Sequence, residues 1–467
     1  MGNMRTALFN YLFAKKGEGT FVLRIEDTDI ERSKKEYEDD IFLEFDWLGI
    51  RPDEGPKENG PYTPYRQSER TELYKKYLTT LLEQGSAYYC FCSAEDLQAQ
   101  RQNQIDQGIA PKYAGTCKNI SKEDQQQKIG VGERAVIRFA VEQKTIRFID
   151  LIRGEITFDT GLLGDIVIAK DLNTPLYNFT VVIDDFEMRI THVIRGEDHI
   201  ANTQKQILLQ EALHLPGLQY AHVPLLLGLD RTKLSKRHGD TSIKTIREQG
   251  YLPEAVINFL ALLGWNPGDE REIFSRDELI KEFTLERIQK GAAVCNIQRL
   301  DWINGIYIRN KSLDEITKLC QPYLPEHNFT FDTIKQIVSL YQERLKKLSE
   351  IAEFADFFFV DAQHLQYAKE LLQWKQATDE QTKENLQKVY ELVDGVGESE
   401  WNKEKLDQVI MPEAEKLQNR GFMLWPMRVA LTGKKASAGP FEVAEVLGKP
   451  QTLNRLQSAI EKLSHND

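Results

Sequence analysis

The chain has 467 residues, of which 41% are hydrophobic and 28% charged, and its formal net charge is −12. That length suits about three domains of ~150 residues, and the composition is that of an ordinary globular protein. No apolar run approaches the ~18 residues of a membrane span, the start lacks a secretory pattern, and the negative charge excludes a general nucleic-acid coat while allowing a local basic groove.

The first ~90 residues read as α/β. Arg5 to Lys15 carries apolar residues at helical spacing, and TFVLRI predicts a buried strand. That strand ends in the acids Glu26, Asp27 and Asp29, a plausible seat for a cationic group such as an α-amine. Thr28 with Glu31 fits a capping box opening a charged helix. EDDIFLEFDWLGI predicts a helix with a glycine stop, and GPYTPYRQSER a loop feeding the helix TELYKKYLTTLLEQG. From about residue 88 to 185 the character changes. AYYCFC leads to a Gln-rich helix and then to AVIRFAVEQKTIRFIDLIRGEITFD, whose alternation predicts antiparallel strands of an α+β insertion. HVIRGEDHIANTQKQILLQEALHL returns to strand-then-helix. After LSKRHGD the chain reads as mostly helical, with capping boxes at Ser275/Glu278 and Ser312/Glu315.

Four stretches carry candidate chemistry. LDRTKLSKRHGD crowds Arg231, Lys233, Lys236 and Arg237 into one loop, suited to negative charge developing on a phosphate. In HVIRGEDH a strand ends in Arg195, Glu197, Asp198 and His199. Ligands of open parallel sheets bind at such carboxyl ends. Arg195 can grip a carboxylate, while Asp198 or Glu197 can accept from ribose hydroxyls or hold Mg2+. RIEDTD repeats that geometry. Cys90, Cys92 and Cys117 have the spacing of metal ligands and suit Zn2+, with the fourth ligand open between Tyr113 and an unassigned group. Five cysteines in a chain without a secretory signature read as reduced thiols of a cytosol-like compartment.

RTALFNYLFA, FVLRIEDTD, YRQSER, YNFTVVIDD, THVIRGEDH and KLSKR occur in one order, followed by LDWINGIYI and WPMRVALTGKKASAGPFEVAEVLGK. This ordered set, over essentially the whole chain, resembles glutamyl-tRNA synthetase of the bacterial type. The resemblance implies a class I catalytic domain with a doubly wound parallel sheet, an α+β insertion, and an all-α anticodon-binding region. It divides the chain into 1–87 and 186–245 (catalytic halves), 88–185 (acceptor-stem insertion), 246–310 (stem-contact helices) and 311–467 (anticodon-binding helices).

It also implies ATP and Mg2+ as cofactors, Zn2+ in some members, L-glutamate and the tRNA for glutamate (or also glutamine) as partners, a cytoplasmic monomer, and a first step that needs tRNA present. By matching position, Lys236 binds ATP phosphate with Lys233 assisting, and Asp198 lies near the ATP ribose or adenine. Glu26 contacts the amino group of glutamate, and Tyr177 and Arg195 line its pocket. The zinc-bearing members place a histidine two residues after the third cysteine, where this chain has Asn119. Lys434 and Lys435 are candidate contacts to the tRNA backbone. Members of the family begin with a strand, a turn and a His-x-Gly-x signature. Here Gly2 and Asn3 match its last two positions, as ATP-binding residues, and the first histidine is His192. The expectation is an N-terminally shortened version of an active enzyme. The competing reading is a non-catalytic tRNA-binding chain.

Overall fold

A computed structural model describes residues 1–28, 33–234 and 241–464. Two compact units emerge: Met1–Thr245 with Val256–Ile297, and Ile246–Ala255 with Gln298–Asp467.

In the first unit, α1 (Gly2–Lys16) buries Met4, Leu8, Phe9 and Leu12 on one side. Arg5 is buried with them, and its guanidinium donates to the carbonyls of Leu263, at 3.1 Å, and Pro224. TFVLRI forms isolated parallel bridges, Val22 to Glu54 and Ile25 to Arg66, rather than the full strand its composition predicts. Its amide groups are satisfied by a loop: Leu23 N donates to Glu54 O and Ile25 N to Tyr65 O, each at 2.9 Å. The charged helix α2 (Lys35–Leu48) starts later than the expected cap at Thr28, and Lys34 at its N-cap makes no side-chain capping bond. Glu31 lies outside the described residues. The glycine stop is as expected: Gly49 adopts φ +68°, a left-handed conformation that a Cβ strains. Helix α3 (Thr71–Gln84) ends the same way at Gly85.

The strands follow as β1 (Ala87–Cys90), β2 (Val136–Phe139), β3 (Thr145–Asp150), β4 (Gly154–Asp159), β5 (Ile166–Ala169), β6 (His192–Gly196) and β7 (Gln219–Val223). The helices among them are α4 (Ala94–Asp106), α5 (Lys122–Gly130), α6 (Tyr177–Glu187) and α7 (Ile200–Ala212). Strands β1, β2 and β5 form an antiparallel sheet. The other sheet has the order β4-β3-β7-β6. In it β6 and β7 run parallel, β3 joins β7 in parallel at Asp150 and Tyr220, and β4 folds back on β3 as the expected antiparallel hairpin. The hairpin falls within the range 88–185 yet extends the sheet of β6 and β7. Phe179, Val182 and Ile183 of α6 and Leu208 and Leu209 of α7 pack with Ile137, Ile146 and Ile168 into one core. Each such side chain contributes roughly 1.5–3 kcal/mol on burial. A short pair, β8 (Leu226–Leu227) with β9 (Ala293–Val294), leads into the basic loop.

The second unit is helical. Its segments include Leu313–Cys320, Phe331–Ser339, Asp379–Asp394, Lys403–Ala414, Gly421–Thr432 and Pro440–Ser464, the last broken at Gly448 with φ +76°. Arg455 is buried there and donates to the carbonyls of Phe357 and Val360 at 2.8 and 2.7 Å. Burial lowers its guanidinium to about 10. The capping boxes at Ser275/Glu278, in the first unit, and Ser312/Glu315, in the second, form as the sequence predicts. Among the described residues no helix is long and apolar enough to cross a membrane.

Candidate active site

A cleft of about 1210 Å³ in the first unit runs along β6, from His192 at its start to Arg195 near its carboxyl end. Asn3, Thr6 and Asn10 of α1, Arg24 and Glu26 of the segment after it, Tyr177 and Asp185 of α6, and Arg195 of β6 all line it. Asn10 ties α1 to the strand end by donating Nδ2 to Ile194 O at 2.9 Å. The fold therefore brings Asn3, Glu26, Tyr177 and Arg195, predicted from four separate stretches, to one cavity. Gly2 opens α1 with no heavy atom within 4 Å of where a Cβ would sit.

Charges in the cleft are held by buried partners. Asp184 accepts from Arg70 Nε at 2.7 Å, Tyr74 Oη at 2.9 Å and Gln67 Nε2 at 2.8 Å. Arg24 donates to Asp185 at 2.9 Å and to Glu26 at 3.1 Å. Burial opposes the Arg24 charge, but Asp185, Glu26 and Asp184 outweigh it and raise the guanidinium above its ordinary value. Glu26 is thus oriented from below by an arginine while its side chain stays 38% exposed to the cleft. Asp27 is occupied differently: Ser68 donates to it through N at 2.8 Å and Oγ at 2.6 Å. Asp29 lies outside the described residues.

At the end of β6, Tyr177 Oη meets His199 Nδ1 at 3.2 Å. Burial, and then the Arg195 charge, push His199 below its ordinary value, so its ring is neutral near pH 7. Asp198 pairs with Lys233 at 3.2 Å, which joins the GEDH turn to the basic loop. Lys233 is placed by a hairpin, with Leu234 N donating to Leu226 O at 2.8 Å. Lys236 and Arg237 lie outside the described residues. Glu197 is not the free acceptor its position in the turn suggests. Its carboxylate is taken by Arg153, at 2.5 Å, and Leu225 N, at 2.8 Å. Sequence reading missed Asn10, Arg24, Asp185 and His222. None of the four stands apart in the sequence, and the burial of His222 emerges only from the fold.

At the end of β1 the three predicted thiols converge, Cys90 from the strand and Cys92 and Cys117 from loops. The Sγ atoms of Cys90, Cys92 and Cys117 lie within 4.8 Å of one another. Cys92 and Cys117 are 3.6 Å apart, and Tyr113 Oη is 3.3 Å from Cys90 Sγ and 3.6 Å from Cys92 Sγ. A tetrahedral Zn2+ with ~2.3 Å sulfur and ~2.0 Å oxygen bonds has S···S edges of ~3.8 Å and S···O edges of ~3.5 Å. The observed spacings are compatible with that geometry; Tyr113 is the oxygen beside the thiols, whereas Asn119 is exposed. In the second unit, Lys434 is engaged by Asp356 at 2.8 Å, whereas Lys435 is exposed.

A cleft along a parallel strand that carries Arg195, a basic loop ion-paired to the turn after that strand, and a helical second unit are features of a class I tRNA synthetase. The family model for class I tRNA synthetases (E and Q), catalytic domain, matches residues 1–302, and that for an anticodon binding domain matches residues 315–460. The glutamate–tRNA ligase of a Sulfurihydrogenibium species is 43% identical, covering 99% of this chain and 96% of its own length. Glutamate–tRNA ligase 1 of a Thermoanaerobacter species is 44% identical, over 98% and 96%. A crystal structure of a glutamate tRNA ligase from Elizabethkingia meningosepticum, in complex with its amino acid, superposes with a TM-score of 0.88 at 33% identity, over 99% and 96% of the two chains. The chain belongs to the glutamate–tRNA ligase family.

Proposed function

We propose that the chain joins L-glutamate to tRNA at this cleft in two steps. The α-carboxylate of glutamate attacks the α-phosphorus of ATP, the bond to pyrophosphate breaks, and glutamyl-adenylate forms. A hydroxyl of the terminal tRNA ribose then attacks the activated carbonyl and releases AMP. Glu26 receives the amino group and Arg195 the side-chain carboxylate, with Tyr177 packed between them. Asp198 lies on the ribose side of ATP and Lys233, with Lys236, on the phosphate side. Asn3 and Gly2 sit at the α1 N-terminus, where backbone N–H groups suit phosphate oxygens. Mg2+ enters with the nucleotide as its counterion. The observation that carries this reading is the presence of opposite charges in one cleft: Glu26 and Arg195 both line it, a set complementary to a zwitterion with a second carboxylate. The helical second unit receives the anticodon side of the tRNA. A non-catalytic tRNA binder is not favoured, given relatives named as ligases at 43–44% identity.

The test is pyrophosphate exchange into ATP. Exchange that needs both glutamate and tRNA is the expected result. A folded protein that retains tRNA without any exchange overturns the reading.

The thiol cluster is a structural Zn2+ site held by Cys90, Cys92, Tyr113 and Cys117, pinning the end of β1 to the loop before α5. Metal analysis of the purified chain should find about one zinc per chain by the four-ligand rule. Cys117→Ser should lose it together with thermal stability, and zinc-free wild-type protein of unchanged stability would sink the assignment.

A further inference from the structure

Asp150, His222 and Arg195 stand on adjacent strands of one sheet. Arg195 of β6 is in register with His222 of β7, and Asp150 ends β3 beside that strand. Asp150 is 1% exposed and His222 fully buried. The carboxylate accepts from Ile152 N at 2.9 Å, Arg153 N at 2.8 Å and His222 N at 3.1 Å, and it meets the imidazole Nδ1 at 2.6 Å. These bonds outweigh burial and hold Asp150 below its ordinary value, as a carboxylate.

On the opposite edge of the ring, Arg195 Nε donates to His222 Nε2 at 3.2 Å. A guanidinium has five N–H groups and no acceptor. Nε2 must therefore be a bare lone pair, which places the ring proton on Nδ1, against Asp150. The carboxylate and the arginine select the same neutral tautomer from opposite sides. Arg195 Nη2 is also fixed, donating to Thr203 Oγ1 at 2.8 Å. Among the described residues no acceptor meets Nη1. The guanidinium is anchored along one edge and keeps the other for a ligand in the cleft.

Resting on the reading of Arg195 as partner of the side-chain carboxylate, we propose that Asp150 and His222 form a positioning relay. It sets the guanidinium plane of Arg195 and so the preference for a carboxylate over an amide in the amino-acid ligand. A fixed fork of donors matches two carboxylate oxygens in its own plane. An amide presents an NH2 to one of those donors, and a fork that cannot turn away leaves that clash standing. No residue of the relay other than Arg195 touches the ligand.

Two substitutions separate positioning from packing. His222→Asn keeps a donor near the Nδ1 position but offers no acceptor where Nε2 stood. His222→Gln returns an amide oxygen to that place. In tRNA-dependent exchange, His222→Asn should raise KM for glutamate about tenfold and lower the glutamate-over-glutamine kcat/KM ratio about tenfold, the effect of one lost charge-assisted bond. KM for ATP should stay within about twofold, and His222→Gln should recover most of the loss. An unchanged ratio in His222→Asn, or equal loss in every parameter without rescue, overturns the relay, provided Arg195→Lys does raise KM for glutamate. If Arg195→Lys leaves that KM unchanged, the reading of Arg195 itself fails and the relay falls with it. A third measurement does not depend on any variant folding. Nitrogen NMR of histidine-labelled wild-type protein should show His222 protonated on Nδ1 alone, and a proton on Nε2 overturns the proposal.

Discussion

Lys233 and Asp184 show how differently two charges contribute. The Lys233 side chain is 62% exposed and its partner Asp198 47% exposed. Such a pair adds ~0–1 kcal/mol to stability, so its value lies in chemistry. Lys233→Met should lower the exchange kcat about a hundredfold, the usual cost of removing one donor to developing charge, with an unchanged melting temperature. Equal activity in the two proteins removes Lys233 from the phosphate side. Asp184 is the reverse case. It is fully buried and neutralises Arg70 at 2.7 Å while contributing to the charge balance of Arg24. Asp184→Asn leaves buried guanidinium charge poorly compensated and should cost about 3 kcal/mol in urea unfolding of the first unit. A loss under ~1 kcal/mol would mean that Asp185 suffices for Arg24 and that Arg70 is satisfied by the carbonyls of Tyr62 and Pro64.

At the scale of elements, short-range chemistry decides where helices begin and end. Ser312 accepts from Glu315 N while the Glu315 carboxylate accepts from Ser312 N at 3.1 Å, a reciprocal box visible in four consecutive letters. Ser312→Ala should cost ~1 kcal/mol, read as a lower urea midpoint of the second unit with an unchanged slope. The box expected at Thr28 and Glu31 reaches outside the described residues, and the described helix α2 begins at Lys35. Strands were harder to read. TFVLRI has strand composition but finds loop carbonyls at Glu54 and Tyr65 instead of a continuous neighbour. The β3–β4 alternation was legible, but its parallel junction with β7 spans 70 positions, Asp150 to Tyr220.

For the whole molecule the net charge of −12 is set against a polyanionic substrate. Binding must then run through local cationic surface, and the ion pairs of Lys233 and Lys434 show that part of that charge is already neutralised within the protein. The affinity for tRNA should fall steeply with salt, log K against log [KCl] being linear with slope about −0.7 per phosphate neutralised on single-stranded regions and nearer −0.9 on helical ones. Filter-binding titrations between 50 and 200 mM KCl, a range of about fourfold, test this. A flat response would assign recognition to uncharged contacts.

The sequence by itself determined the capping boxes at Ser275 and Ser312, the converging thiols and the acidic and basic clusters at the strand ends, because each depends on neighbours within a few residues or on residue types with few alternative uses. It also marked Glu26, Tyr177, Arg195 and Lys233 before any of them had a partner. Tertiary structure alone decided that Glu197 is spent on Arg153, that Tyr113 joins the cysteines, and that Arg24 sits among three carboxylates. Asp150 and His222, 72 positions apart, meet at 2.6 Å only because β3 and β7 are neighbours in the sheet. Side chains buried by long-range strand pairing leave no periodic trace that sets them apart from ordinary core positions, so their chemistry is fixed by the fold.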